Sequence, residues 1–426
     1  LFYYFGKNYK FISFVSTFFT MSEKKNQYKQ GIIKEFYFAR LLSCADLCEK
    51  MDKSLPLVTK LINELIEENR VIENGLAPST GGRRPLMYSI RTDMQYVVAV
   101  SMDQLITRIA LMDMQNNCIG AVAKVNLVLK GNDESLAILT KAIDTFIETS
   151  TVDKKKIVGI GIAMPGFVDP QKGINYSFLK AAPDSSITEH ISKAIGIPVL
   201  IDNDSSLIAL AEWRFGAAAK EKNAMVINMN WGVGLGMILD GALYRGEIGF
   251  AGEFSHIPLF NNNKLCSCGK HGCLETETSL LVLVEKAQEG LKAGRVSSLQ
   301  GIPSNSPEEA YNLIIKSALE GDQFAIELLS EIGLKIGRGV SILIHLLNPK
   351  LIVLSGRGAM AGRIWQAPIQ QALNEYCIPR LAHNTTIEIS ELSYQAEMIG
   401  AAALVMENFE HLHLPKIETP RYKEAL

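Results

Sequence analysis

Apolar positions in the first quarter of the chain recur at steps of three and four. Leu55, Val58, Leu61, Ile62, Leu65 and Ile66 form one face of a helix. The same spacing predicts an amphipathic helix over 28–42 and a short one over 45–50, with Ser43 as its N-cap. Ser54 is placed to cap the 55–66 helix. Pro56 is tolerated in a first turn, where its missing N–H has no helical partner. Two helices separated by the turn 51–53 make a helix-turn-helix. Short strands follow at 71–73 and 86–90. The loop between them, 79–85, carries Gly81, Gly82, Arg83 and Arg84 and reads as a wing.

From 92 onward, apolar runs alternate with amphipathic stretches. Residues 96–101, 108–114 and 119–128 read as three consecutive strands, rich in β-branched and apolar residues with short joins. A helix over 135–150 follows. Then come buried strands at 157–164 and 199–201, a helix over 205–215, and strands at 224–228 and 234–239. The order of three strands, helix, strand, helix starts again near 224, which predicts two related lobes. Residues 21–91 are thus expected to form a winged helix-turn-helix domain. Residues 92–200 are expected to form a first α/β lobe, joined by a C-terminal helix near 395–412, and 201–394 a second α/β lobe with a cysteine-rich loop.

The 426 residues allow two or three domains at roughly 150 residues each. With 47% hydrophobic and 21% charged residues the chain can bury large cores. A net charge of -2 excludes a generic polyanion binder, though not a local basic patch. Three of seven cysteines crowd between 266 and 273, which argues for reduced thiols in a cytoplasm rather than a secreted disulfide framework. No apolar run reaches the roughly 20 residues that span a bilayer, so no membrane helix is expected. Residues 11–19 are aromatic and apolar behind Lys7 and Lys10, but no small-residue cleavage site follows them. Polar composition begins at Met21, which reads as the natural start, with 1–20 an upstream extension.

On the third helix the polar face carries Thr59, Lys60 and Asn63 beside Ser54, side chains able to reach base edges and phosphates in a major groove. The paired cations Arg83 and Arg84 on the wing suit a narrow minor groove. Operator DNA is the partner these features predict.

Four segments carry a resemblance. They are Gly161-Ile-Ala-Met-Pro-Gly-Phe-Val-Asp169, Asp202-Asn-Asp204, Gly252-Glu-Phe-Ser-His256 and Cys266-Ser-Cys-Gly-Lys-His-Gly-Cys-Leu-Glu275. From about residue 30 to the C-terminus the chain resembles the ROK family of repressors, open reading frames and sugar kinases. With a winged helix in front and Gly82-Arg-Arg-Pro85 at the junction, it is similar to the repressor branch. The resemblance implies an actin-like, sugar-kinase-type α/β fold of two lobes around a cleft. It also implies a cytoplasmic repressor, a sugar or sugar-phosphate effector, and a homodimer or homotetramer.

Cys266, Cys268 and Cys273 supply three soft ligands, and Gly269 and Gly272 allow the tight loop between them. Zinc prefers four tetrahedral N/S ligands. The resemblance takes the fourth from His256; His271, inside the loop, is the local rival. A site filled by four protein ligands is structural. By the same resemblance the sugar contacts are Gly166, Asn203, Asp204, Glu253, His256 and Glu275. A zinc between His256 and Cys273 would position Glu253 and Glu275, which flank that segment. One departure stands out. Where the family often has an Asn-Leu pair with its Asn on the sugar, this chain has Phe178-Leu179.

Kinases of this fold cradle phosphates in glycine-rich turns, whose bare backbone N–H groups approach the oxygens. The family's first turn, Asp-x-Gly-Gly-Thr, is here Ser101-Met-Asp-Gln-Leu105. Its second, Gly-Thr-Gly-x-Gly, is Asn230-Trp-Gly-Val-Gly234. Asp204 matches the family's catalytic base, but a carboxylate there can simply hydrogen-bond a sugar hydroxyl. The expectation is a non-enzyme. The rivals are an ATP-dependent sugar kinase with an atypical nucleotide site and a protein-binding regulator with an empty cleft.

Overall fold

Ile32, Ile33, Phe36 and Tyr37 are fully buried on one side of the first helix, α1 (Met21–Ala39). They share the interior of the N-terminal unit with Leu47 of α2 (Cys44–Met51) and with Val58, Leu61, Ile62 and Leu65 of α3 (Leu55–Glu67). The computed structural model describes residues 21–79, 84–129, 131–179, 185–299 and 301–412, so the extension expected at 1–20 lies outside the described residues. Two compact units divide the chain. Of the described residues, one unit holds 21–94 with 407–412, and the other runs over 95–406.

In the first unit α2 starts with a full capping box. The Ser43 hydroxyl accepts from Asp46 N while the Asp46 carboxylate accepts from Ser43 N. Asp52 ends α2 in a left-handed conformation, which turns the chain into α3. Ser54 occupies the N-cap position of α3 but makes no side-chain cap bond there, because Pro56 in the first turn removes one of the N–H groups it would serve. Lys29 of α1, itself buried, binds Glu64 at 2.8 Å and Glu68 at 2.5 Å and ties α1 to α3. A strand unforeseen in the sequence, β1 (Leu42–Ser43), pairs with β3 (Leu86–Ile90), which pairs in turn with β2 (Val71–Leu76). Two residues are too few for a period to show.

The second unit holds two five-stranded sheets of the same topology. The first contains β4 (Tyr96–Met102), β5 (Ile106–Asp113), β6 (Cys118–Asn126), β7 (Ile157–Met164) and, after the small β8–β9 hairpin (Val168–Asp169 and Ile174–Asn175), β10 (Val199–Asn203). Their order is β10-β7-β4-β5-β6. The second contains β11 (Ala224–Met229), β12 (Val233–Leu239), β13 (Ala242–Tyr244), β14 (Leu351–Ser355) and β15 (Thr386–Ile389), in the order β13-β12-β11-β14-β15. Read from the parallel edge, each sheet runs fifth, fourth, first, second, third strand. That duplication is the repeat read in the sequence. Helices α4 (Ser135–Glu148) and α5 (Ile187–Ile195) serve the first sheet. The second is served by α8 (Leu280–Lys292), α9 (Pro307–Leu319), α10 (Gln323–Leu347) and α11 (Gln366–Tyr376), with short turns α7 (Glu275–Thr278) and α12 (Pro379–Ala382).

One helix belongs to both sheets. α6 (Asp204–Phe215) grows out of β10 and packs along β12 of the second sheet. A Cβ on Gly236 would meet Ala209 Cβ at 2.3 Å, so the strand must be bare there for the helix to sit against it. The last helix, α13 (Ala396–Glu407), stops short of the 412 expected. The turn after it, Phe409–His411, packs on α1, with Lys34 3.5 Å from Glu410.

Candidate ligand-binding site and metal centre

The site begins where β7 and β10 end side by side, in parallel register from Val199 opposite Ile160 to Asn203 opposite Met164. Beyond Met164 the chain turns at Pro165-Gly166. Gly166 has φ +90, and a Cβ there would lie 2.5 Å from Ser177 Cβ, so only glycine fits on both counts. Asn203 caps α6 by accepting from the N–H groups of Ser205 and Ser206, while its Nδ2 donates to Gly166 O at 3.0 Å. Asn175 holds the other side of the turn, donating to Pro165 O at 3.0 Å and accepting from Ser177 N and Phe178 N.

Asp204 is the first residue of α6. Its Oδ1 accepts from Ser205 N at 2.7 Å and from Ser205 Oγ at 3.1 Å, and Asn228 Nδ2 lies 3.4 Å from Oδ2. Burial raises its pKa to about 6. The Ser205 bonds oppose the rise, and the charges of Glu253 and Asp103 add to it. Burial also raises Glu253, with His256 lowering and Glu275 raising it. A third carboxyl, Glu397 on α13, is pushed well above its ordinary value by burial and then by Asp204 and Asp103.

The cavity that Asp204 and Glu253 line measures about 710 Å³. Gly166, Asn203, Asp204, Glu253, His256 and Glu275 all line it, so the structure brings the six sequence-derived ligand residues to one place. Phe178 lines it too. Glu275 is held by Val233 N, which donates to Oε2 at 3.3 Å.

Beside the cavity, two β-bridges, Pro258 with Cys273 and Leu265 with His271, fold 258–273 into a hairpin. The knuckle closes where Cys266 N donates to Lys270 O at 2.8 Å and Gly269 N to Cys266 O at 2.9 Å. His256, Cys266, Cys268 and Cys273 present ligand atoms within 4.8 Å of one another; His271 is not in the group. His256 Nδ1 lies 3.4 Å from Cys266 Sγ, and Cys268 Sγ 3.6 Å from Cys273 Sγ. Around a tetrahedral zinc with bonds of about 2.3 Å the ligand atoms stand about 3.8 Å apart, so the spacing and donor set fit that metal. His256 Nε2 turns the other way, 3.6 Å from Glu253 Oε2. One ring thus connects the metal cluster to the cavity.

The turns a kinase would use for phosphate are already filled. Asp103 Oδ1 accepts from Leu105 N and Ile106 N at 2.8 and 2.7 Å. Its Oδ2 accepts from Arg108 and from Trp231 Nε1, each at 3.2 Å. Trp231, buried, lies under the Arg357 guanidinium at 5.0 Å and edge-on to Tyr311. Glu308 binds both Arg108 and Arg357 at 3.0 Å; burial opposes its ionisation, but Arg357 and Arg108 hold it below the usual carboxylate range. A second cavity of about 700 Å³ lies along Arg108, Glu308, Arg357 and Glu397, and Asn230 lines both cavities. Sequence reading placed Asp103 and Trp231 in the two altered turns but missed Arg108, Glu308, Arg357 and Glu397. A pair such as Arg108 and Glu308, 200 residues apart, carries no local pattern.

In the first unit Ser54, Lys60 and Asn63 are exposed and Thr59 is half-exposed along one side of α3, next to Glu64 and Glu67. Arg84, one of the paired cations expected on the wing, is bound to the chain itself. Its Nε donates to Ala77 O at 2.5 Å and its NH2 to Leu76 O at 3.3 Å, folding it back on the hairpin. Arg83 lies outside the described residues.

A model of the ROK family matches residues 107–408. The xylose repressor of Caldicellulosiruptor bescii is 26% identical over 385 residues, covering 88% of this chain and 94% of the relative. The DNA-binding transcriptional dual regulator NagC of Escherichia coli is 27% identical over 367 residues, covering 85% and 88%. Among solved structures, a ROK family transcriptional regulator homologous to the Escherichia coli MLC protein superposes with TM-score 0.72 at 26% identity, over 92% of this chain and 98% of that one. A ROK family glucokinase from Streptomyces griseus superposes with TM-score 0.62 at 23% identity, over 72% and 98%, a likeness of fold. Among the described residues no helix is long and apolar enough to cross a membrane.

Proposed function

The chain belongs to the ROK family, and from that footing we propose that it is a sugar-responsive transcriptional repressor of the cytoplasm that does not phosphorylate its ligand. The N-terminal unit acts as a winged helix-turn-helix, with Thr59, Lys60 and Asn63 of α3 toward operator DNA and the 79–85 loop as its wing. Homo-oligomers, dimers or tetramers, present two such heads to a palindromic site. A sugar or sugar phosphate occupies the cavity at Asp204. It changes operator affinity by binding one conformer of the protein better than the other. The alignments with the repressor relatives support this reading, because at 367 and 385 residues they take in part of the N-terminal unit.

One observation carries the non-enzyme part. Phosphoryl transfer needs free N–H groups and cations aimed at phosphate oxygens. Here Leu105 N and Ile106 N are spent on Asp103, Trp231 N on Asn230 Oδ1 and Val233 N on Glu275. Arg108 and Arg357 are paired with Glu308. An incoming phosphate would face the Asp103 carboxylate instead of a donor cradle. The sugar-side carboxylates Asp204 and Glu253 meanwhile line their own cavity.

Zinc in His256, Cys266, Cys268 and Cys273 supplies structure. Four protein ligands leave no open position for chemistry, and the metal would fix the hairpin that carries Glu253 on one side and Glu275 on the other. The test combines a coupled ADP-release assay with operator binding across a panel of sugars and sugar phosphates. Operator affinity should respond to a sugar while ADP release stays at background. Sugar-dependent turnover that disappears in Asp204→Asn would make the chain a kinase.

A further inference from the structure

The lining of the cavity at Asp204 is both polar and aromatic. Phe167, Phe178 and Phe250 line it along with the carboxylates. Phe250 meets Phe167 at 5.3 Å and 64° and Tyr176 at 5.8 Å and 86°, an aromatic cluster of which Phe167 and Phe250 line the cavity. Phe167 is 37% exposed and Tyr176 54%. Apolar surface left open beside a polar pocket marks a place where a ligand covers it.

The cluster is held in place. Phe167 N donates to Ser177 Oγ at 2.9 Å and Tyr176 N to Phe167 O at 2.8 Å, so both rings ride on the loop fixed by Asn175. The Phe250 loop is seated on β8, where a Cβ on Gly249 would fall 3.1 Å from Val168 O. Rings fixed before binding lose little entropy when a ligand stacks on them.

Charge narrows the ligand further. Asp103, Asp133, Asp204, Glu253 and Glu275 line the cavity, and no Lys or Arg is among its described lining residues. A phosphate dianion placed there would be desolvated among carboxylates without a cation to meet it. Neutral hydroxyls suit these acceptors. The face of a pyranose ring presents C–H hydrogens, which suit the negative face of an aromatic ring.

We propose that the effector is an uncharged glycoside of at least two sugar units. One unit hydrogen-bonds to Asn203, Asp204 and Glu253, and the next stacks on Phe167 and Phe250. This rests on the sugar-binding reading above and selects, within it, against a free monosaccharide and against a sugar phosphate. Phe178 gives the cavity an apolar wall, where a linkage oxygen without a hydroxyl hydrogen is accommodated and an unpaired hydroxyl is penalised.

The experiment is calorimetry and operator release on the full-length, zinc-loaded protein. The probes are glucose, xylose and N-acetylglucosamine, the hexose 6-phosphates, and the disaccharides cellobiose, maltose, xylobiose and diacetylchitobiose. One disaccharide should bind at least tenfold more tightly than its own monosaccharide, and the phosphates should not bind. Phe167→Ala and Phe250→Ala should each weaken that disaccharide by about tenfold, the loss of one stacked ring, and leave the monosaccharide within about twofold. Phe167→Tyr, which keeps the ring, should restore the disaccharide and so separates stacking from misfolding. A 6-phosphate or monosaccharide that binds as tightly as every disaccharide overturns the proposal while the sugar reading stands. Equal losses for both ligand sizes in the alanine variants also overturn it. No binding by any saccharide removes the sugar reading as well.

Discussion

Asp204→Asn should make the protein more stable and a worse sugar binder. In the folded chain the Asp204 carboxyl titrates at about 6 instead of 3.8, chiefly because it is buried. Such a shift costs about 3 kcal/mol at pH 7.5. The sign follows from linkage. The unfolded carboxyl ionises through pH 3.8 while the folded one still holds its proton, so the penalty is absent below 3.8. It grows as pH rises toward 6 and is constant above. Asn keeps an oxygen for Ser205 N and has no charge to bury. The gain from Asp204→Asn should therefore approach 3 kcal/mol at pH 7.5 and fall to about half of that at pH 5. Urea denaturation followed by tryptophan fluorescence reads the right unit, since all three tryptophans, Trp213, Trp231 and Trp365, lie within 95–406. Sugar affinity should fall by tenfold or more, because a charge-assisted acceptor is lost. A variant destabilised at pH 7.5, or a stability gain equal at both pH values, would refute the assignment of Asp204 as a strained, ligand-facing carboxylate.

Purified protein should carry about one zinc per chain by elemental analysis; Cys268→Ser should release it and weaken the response to sugar, since the hairpin between Glu253 and Glu275 loses its anchor. Lys60→Ala should weaken operator binding and reduce its salt slope by about one, whereas Asn63→Ala should relax sequence preference, as fluorescence anisotropy at several salt concentrations would read. Arg84→Ala should lower the melting temperature as well as DNA affinity, because Arg84 binds the carbonyls of Leu76 and Ala77. Gly166→Ala should abolish sugar binding in calorimetry, since φ +90 and a contact of 2.5 Å to Ser177 force the turn to move.

Local pattern determined a good deal by itself. The α3 period, the β7 strand and the repeat of strand order near 224 are all short-range features of hydrophobic spacing, and each coincides with an element of the structure. The cysteine loop was legible because its three thiols lie within eight residues and its glycines mark the turns. Side-chain partners across hundreds of residues were decided only in three dimensions. Glu308 could not be joined to Arg108 and Arg357, nor Asp103 to Trp231, until α9, β5 and the ends of β4, β12 and β14 met. The choice of His256 over His271 rested on resemblance until the hairpin bridges brought the distant imidazole to the thiols and left the near one outside. The aromatic cluster was equally silent in the sequence, because Phe167, Tyr176 and Phe250 share no period and meet only through two loops. Backbone hydrogen bonds and burial set the elements locally. The energetics of the site come from desolvation and charge pairing, and these depend on what the fold brings into contact.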